Sequence, residues 1–110
     1  MITEIAEIDV IAGHEPAFEA AVASALPLFA TAAGCHGMEL QRSIEVSARY
    51  WLFVQWDDVD SHMVGFRQSK AFADWRSLVG PHFANPPRVE HGETAAPDLF
   101  VAAMPNDCAQ

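Results

Sequence analysis

Arg49-Tyr50-Trp51-Leu52-Phe53-Val54-Gln55-Trp56-Asp57 is the stretch from which the rest of the chain can be placed. Aromatic and aliphatic residues in near-unbroken succession read as a strand. One side carries Tyr50, Leu52, Val54 and Trp56; the other carries Trp51, Phe53 and Gln55. Successive strand side chains point to opposite faces of a sheet, so both faces here are largely apolar. Helices of the same chain can cover one face. The other would expose Trp51 and Phe53 in a lone subunit, and a two-fold related copy is the simplest cover. A homodimer is expected.

Upstream, Met38, Leu40, Arg42 and Ile44 alternate with Glu39, Gln41, Ser43 and Glu45 in a second strand. Val46 to Ala48 turns the chain, making the two strands an antiparallel hairpin. Ile2 to Ile11, bounded by Gly13, is a further strand whose even positions form the drier face, with Glu4 the exception. A buried unpaired carboxylate there has a raised pKa; otherwise it pairs with an arginine, and Arg42 is the available inward partner. Between these strands Phe18, Val22, Leu26, Phe29 and Ala33 fall on one helical face, with Pro16 in the first turn and Gly34 as the stop. Pro27 is expected to kink that helix.

Downstream, Asp57 or Asp58 can cap a short helix through Phe66. Ser69 can cap another with Phe72, Trp75 and Val79 on one side, ended by Gly80-Pro81. Pro86-Pro87-Arg88-Val89-Glu90-His91 opens on a proline pair and reads as an edge strand. The order is strand, helix, strand, strand, helices, strand: an α+β, ferredoxin-like βαββαβ domain with its helices on one sheet face. It is expected to span 1–94. Residues 95–110, with Leu99-Phe100-Val101, form a tail that adds a strand, docks on a partner or frays.

The 110 residues suffice for one domain. Six basic against fifteen acidic side chains give a net charge of -9, which repels phosphate backbones and anionic lipid. Nucleic-acid and membrane-surface binding are therefore not expected. The most apolar run, Pro16 to Ala33, is too short and too polar to span a bilayer. Cys35 and Cys108 lie in no metal-ligand or C-x-x-C spacing and read as reduced thiols. The start, MITEIAEIDV, lacks the basic region of a signal peptide. A cytoplasmic protein is expected.

The stretch His62-Met63-Val64-Gly65-Phe66-Arg67-Gln68-Ser69, followed by Trp75-Arg76-Ser77-Leu78 and Pro86-Pro87-Arg88-Val89-Glu90-His91, resembles the second half of antibiotic biosynthesis monooxygenase domains. That pattern runs H-x-x-G-F-R-x-S, W-R-x-L, P-x-V-E-H. Gly13, Gly34 to Leu40 and Trp56-Asp57 fit the first half more loosely. The resemblance implies a dimeric α+β barrel with a pocket between sheet and helices. It also implies cofactor-independent oxidation of a small aromatic, phenolic or quinol-type compound by molecular oxygen. Relatives that degrade haem use an asparagine, a tryptophan and a histidine; the corresponding positions here hold Ala6, Gly65 or Phe66, and Trp75. That branch does not fit.

An oxygenase without a cofactor needs an electron-rich substrate, a base, a group that stabilises the resulting anion, and aromatic walls. His62 is the candidate base or donor, against the alternative of a helix-surface residue bonded to its neighbours. Arg67, five residues on and so not one α-helical turn away, could hold the anion or pair with a carboxylate. His91 is either a third catalytic residue or a structural histidine bonded to Glu90 or the other chain. Glu4, Trp56, Phe66, Phe72 and Trp75 are the candidate substrate contacts, the aromatic ones doubling as core. Arg76 can line the site or hold the dimer. His14, His36 and His82 read as solvated. No motif suggests a metal site or a required cofactor. Two other functions fit the scaffold: non-catalytic small-molecule binding, and isomerisation or cyclisation by proton transfer.

Overall fold

The computed structural model describes residues 1–96; the Leu99-Phe100-Val101 segment lies outside them. Four strands, β1 (Ile2–Asp9), β2 (Cys35–Arg42), β3 (Arg49–Trp56) and β4 (Arg88–Gly92), form one antiparallel sheet in the order β2-β3-β1-β4. Helices α1 (Glu15–Ala30) and α2 (Lys70–Val79) belong to the same βαββαβ order, so the domain is α+β with ferredoxin-like topology. The sheet is open, with β2 and β4 as its edges. Among the described residues no helix is long and apolar enough to cross a membrane.

The alternation read in β1 and β3 is the alternation observed. Ala6, Ile8, Tyr50, Leu52, Val54 and Trp56 are buried, and Glu4 is buried among them. The opposite face carries half-buried Ile5, Trp51 and Phe53. Beside them stand polar Thr3, Glu7 and Asp9, so β1 adds one large apolar side chain to that face. Arg49 and Arg88 both pair with Glu7 there.

The limits of α1 and β2 differ from those the sequence predicts, and β1 ends at Asp9 instead of Ile11. The buried stripe of α1 is Phe18, Val22, Ala25 and Phe29, while Leu26 is exposed and so is Ala33, beyond the helix. Leu26 stands one position, about 100°, past the stripe. The helix continues through Pro27 and ends at Ala30, where the Thr31 amide and hydroxyl both bond the Pro27 carbonyl. Gly34 is therefore not its stop. Its φ of +81° instead turns the chain into β2, where its carbonyl accepts the Asp57 amide at 2.8 Å. Lastly, β2 starts three residues early and ends at Arg42, because Ser43 turns out of the ladder to accept the Val46 amide.

The short helix after β3 is a π-helical turn, Ser61–Phe66. Asp58 receives both the amide and the hydroxyl of Ser61 at 2.8 Å, which lowers its pKa. The Arg67 amide donates to the His62 carbonyl at 2.9 Å, a bond reaching five residues instead of four. Ser69 caps α2 by accepting the Phe72 amide.

Candidate active site

β1 brings Glu4 to the helix-covered side of the sheet, with Val54 and His91 as its direct cross-strand neighbours. Trp56, its diagonal neighbour on β3, donates its indole N–H to Glu4 Oε1 at 3.0 Å. The π turn then lays His62 over this pair. Its imidazole stacks on the Trp56 ring at 5.4 Å and 17°, and places Nε2 3.3 Å from the same Glu4 oxygen. On its far side, His62 Nδ1 lies 2.8 Å from His91 Nε2. His62 thus meets Glu4 through one ring nitrogen and His91 through the other.

Burial dominates the electrostatics. Desolvation, aided by the charges of His91 and Arg67, pushes the His62 imidazole down to about 4. Desolvation also raises Glu4, against the indole bond and the charge of Arg67, which pull it back. The carboxyl group is thereby moved toward neutrality, where a general base works best. Among the described residues no buried side-chain oxygen lacks a partner. Among the described residues the bonds to Glu4 fall on Oε1, and Glu4 lines the adjoining cavity.

That cavity, about 540 Å³, lies between sheet and helices. Ala6, Ile8, Leu52 and Val89 form its sheet side, Phe72 and Trp75 its α2 side, and Phe83 with Pro86 and Pro87 its end. Glu4, His62, Arg67, Arg76 and Asn85 are its polar groups. Its size and mostly apolar lining suit one small flat molecule.

Of the eight residues expected at a site, five line this cavity: Glu4, His62, Arg67, Phe72 and Trp75. Three do not. Trp56 and Phe66 are buried behind the wall, where Phe66 packs against Phe29, Trp56 and Phe72. His91 is also outside the lining and reaches the site only through His62. Its partner in this chain is His62 and not Glu90.

Other expectations also shift. The five-residue spacing of His62 and Arg67 is one turn of the π helix, so both reach the cavity despite the α-helical argument against it. Arg42 does not pair with Glu4 but with Glu19, 3.5 Å away on α1. His14 and His82 are half-buried and face each other at 3.1 Å, and exposed His36 bonds Asp57. Phe83 and Asn85 were not legible as site residues, because the link between α2 and β4 shows no periodicity. The Pro86-Pro87 pair was the available signal of a rigid wall there. Among the described residues no three His, Cys, Asp or Glu side chains are grouped to hold a metal ion.

Residues 1–78 match the family model of the antibiotic biosynthesis monooxygenases. The chain belongs to that family. The antibiotic biosynthesis monooxygenase match extends from β1 through most of α2 and so includes Glu4, His62, Arg67 and Arg76. A Bordetella bronchiseptica protein provisionally named as a member has 56% identity and a TM-score of 0.85, covering 86% of this chain and 97% of its own. The uncharacterized protein YczJ of Bacillus subtilis is 31% identical over 91 residues, covering 83% of this chain and 96% of the relative. A Caulobacter crescentus structure with the same provisional name has a TM-score of 0.75 at 20% identity, covering 86% and 90%. At that identity the likeness shows the fold alone. The family places this chain among monooxygenase-like proteins.

Proposed function

We propose that the chain is a cofactor-independent monooxygenase that oxidises a small phenolic or quinol-type compound with molecular oxygen, working as a homodimer. The observation that carries this reading is Glu4, a carboxylate of raised pKa that lines an aromatic-walled cavity together with the Arg67 guanidinium.

Glu4 Oε2 takes the substrate's hydroxyl proton. The indole of Trp56 and the imidazole of His62 hold Oε1 and with it the orientation of the carboxyl group. His62, with Nδ1 occupied by His91, is a positioning residue on this reading, and His91 is one behind it. Arg67 offsets the negative charge that forms on the substrate oxygen. Phe72 and Trp75 hold the ring away from water, and the electron-rich anion reacts with oxygen. For hydroquinone the balance is one oxygen atom into the ring and one to water, giving hydroxybenzoquinone. All four electrons come from the substrate, so the protein needs to supply only proton transfer and electrostatics.

The half-buried row of Ile5, Trp51 and Phe53 on the helix-free face supports the homodimer. Among the described residues no helix covers this face, and a second sheet is its simplest cover.

The test is oxygen consumption by chelated, flavin-free protein given hydroquinone. Uptake above the spontaneous rate is expected, falling about 10²- to 10⁴-fold in Glu4→Gln. Uptake that appears only after a metal or flavin is added contradicts the reading. Product formed equally well under nitrogen moves the same base to a proton-transfer isomerase or cyclase.

A further inference from the structure

The chain has six lysine and arginine side chains among fifteen carboxylates, so a cation without an acidic partner is unexpected. Four of the six are paired: Arg42 with Glu19, Arg49 with Asp9 and Glu7, Lys70 with Asp74, and Arg88 with Glu7. Among the described residues the other two, Arg67 and Arg76, have no carboxylate within salt-bridge distance. These same two line the cavity.

Their placement has a common origin. Arg67 closes the π turn, and Arg76 lies on α2 next to Trp75. Both guanidinium carbons approach the ring of Phe72, at 5.4 and 6.0 Å from its centroid. Both positive groups are thus within reach of one aromatic side chain of the cavity wall. Like charges lining one cavity repel each other, and an anion within reach of both offsets that repulsion. Guanidinium suits this use because it stays charged and can take a carboxylate on two parallel N–H bonds. Among the described residues the one carboxylate lining the cavity is Glu4, which makes no salt bridge with either arginine and is held on Oε1 by Trp56.

We propose that Arg67 and Arg76 form an anion clamp, and that the substrate is an aromatic compound carrying a carboxylate in addition to its reacting hydroxyl. This rests on the oxygenase reading for the hydroxyl but not for the carboxylate. The clamp would hold the acid group at the α2 side while the ring lies against Phe72 and Trp75 and the hydroxyl points toward Glu4. It also offsets the general repulsion that a protein of net charge -9 exerts on an anionic ligand.

The test compares matched probes under argon by calorimetry: hydroquinone, (2,5-dihydroxyphenyl)acetate, and the neutral amide of the latter. The acid is expected to bind about tenfold more tightly than either neutral probe, the range of a charge-assisted bond. That preference should shrink as salt is raised. Arg67→Gln combined with Arg76→Gln should abolish the preference, and Arg76→Gln alone should reduce it. Both side chains are exposed, which spares the fold. Arg88→Gln, in an arginine already paired with Glu7, should keep the preference. Should the double variant fail to fold, the salt series on the unaltered protein decides.

Equal affinity for acid and amide, or a preference that survives in the double variant, overturns the clamp. Oxygen uptake with hydroquinone but no carboxylate preference overturns the clamp alone. A carboxylate preference without uptake upholds the clamp and overturns the oxygenase reading. Binding of none of the three probes overturns both.

Discussion

Glu4 is the residue on which the proposed chemistry turns, and its position is a consequence of strand periodicity. It occupies an even position of β1, so the alternation that buries Ala6 and Ile8 buries it too. The break in the pattern made it legible in the sequence. Its partners were not legible, since Trp56 and His62 reach it across 52 and 58 residues of chain, and only strand register and the π turn bring them there. The same holds for His91, whose bond to His62 spans 29 residues. His62 makes a prediction of its own. Its folded pKa of about 4 lies below the ordinary 6.5, so its contribution to stability is complete above 6.5 and is lost as pH falls through 4. Glu4 has the opposite sign: its contribution is present below its ordinary value and lost as pH rises through the raised one. In His62→Gln the Glu4 part remains and the His62 part is removed. Urea unfolding at pH 7 and at pH 4.5 should therefore show the unaltered protein losing roughly 2 to 3 kcal/mol more than the variant. Equal losses would mean that His62 is charged in the folded state.

At the scale of elements, the close fit of the α1–β2 turn to the π turn decides where His62 and Arg67 end up. Gly34 has a positive φ, and a Cβ there would lie 2.7 Å from Ser61 Oγ and 2.9 Å from Ser61 Cβ. Gly34→Ala is expected to destabilise by about 2 kcal/mol, from backbone strain plus the clash. Adding Ser61→Gly should recover the clash part and leave the strain, and thermal unfolding of the single and double variants measures both. A harmless Gly34→Ala would show the two turns to be loosely apposed. By contrast Gly65, inside the π turn, has no positive φ and meets nothing closer than 3.9 Å. Gly65→Ala should stabilise by about 0.5 to 1 kcal/mol through reduced chain entropy in the unfolded state. The sequence disclosed these elements with uneven accuracy. Strand faces followed from a period of two, which leaves no phase error. Helix α1 was assigned a face that drifted from Ala25 to Leu26, because Ala-rich stretches give a weak apolar contrast. The π turn left no trace in a reading built on α-helical spacing, since a one-residue bulge alters which positions align without altering composition.

At the scale of the whole molecule, the helix-covered side of the sheet and the bare side carry separate parts of the account. The bare side bears Trp51 and Phe53, and it predicts a particle of twice the chain mass in sedimentation at micromolar concentration. Phe53→Glu should shift that particle toward the monomer, because a carboxylate would be desolvated at the interface. A chain that sediments as a monomer, with or without the substitution, would leave the apolar row unexplained. The covered side holds the proposed reaction. Supplying hydroquinone and ¹⁸O₂ to metal-free, flavin-free protein and weighing the product tests it most directly. The account predicts hydroxybenzoquinone with one labelled oxygen, formed far more slowly by Glu4→Gln. Unlabelled product, or equal labelling rates in the protein and its Glu4→Gln variant, would contradict it.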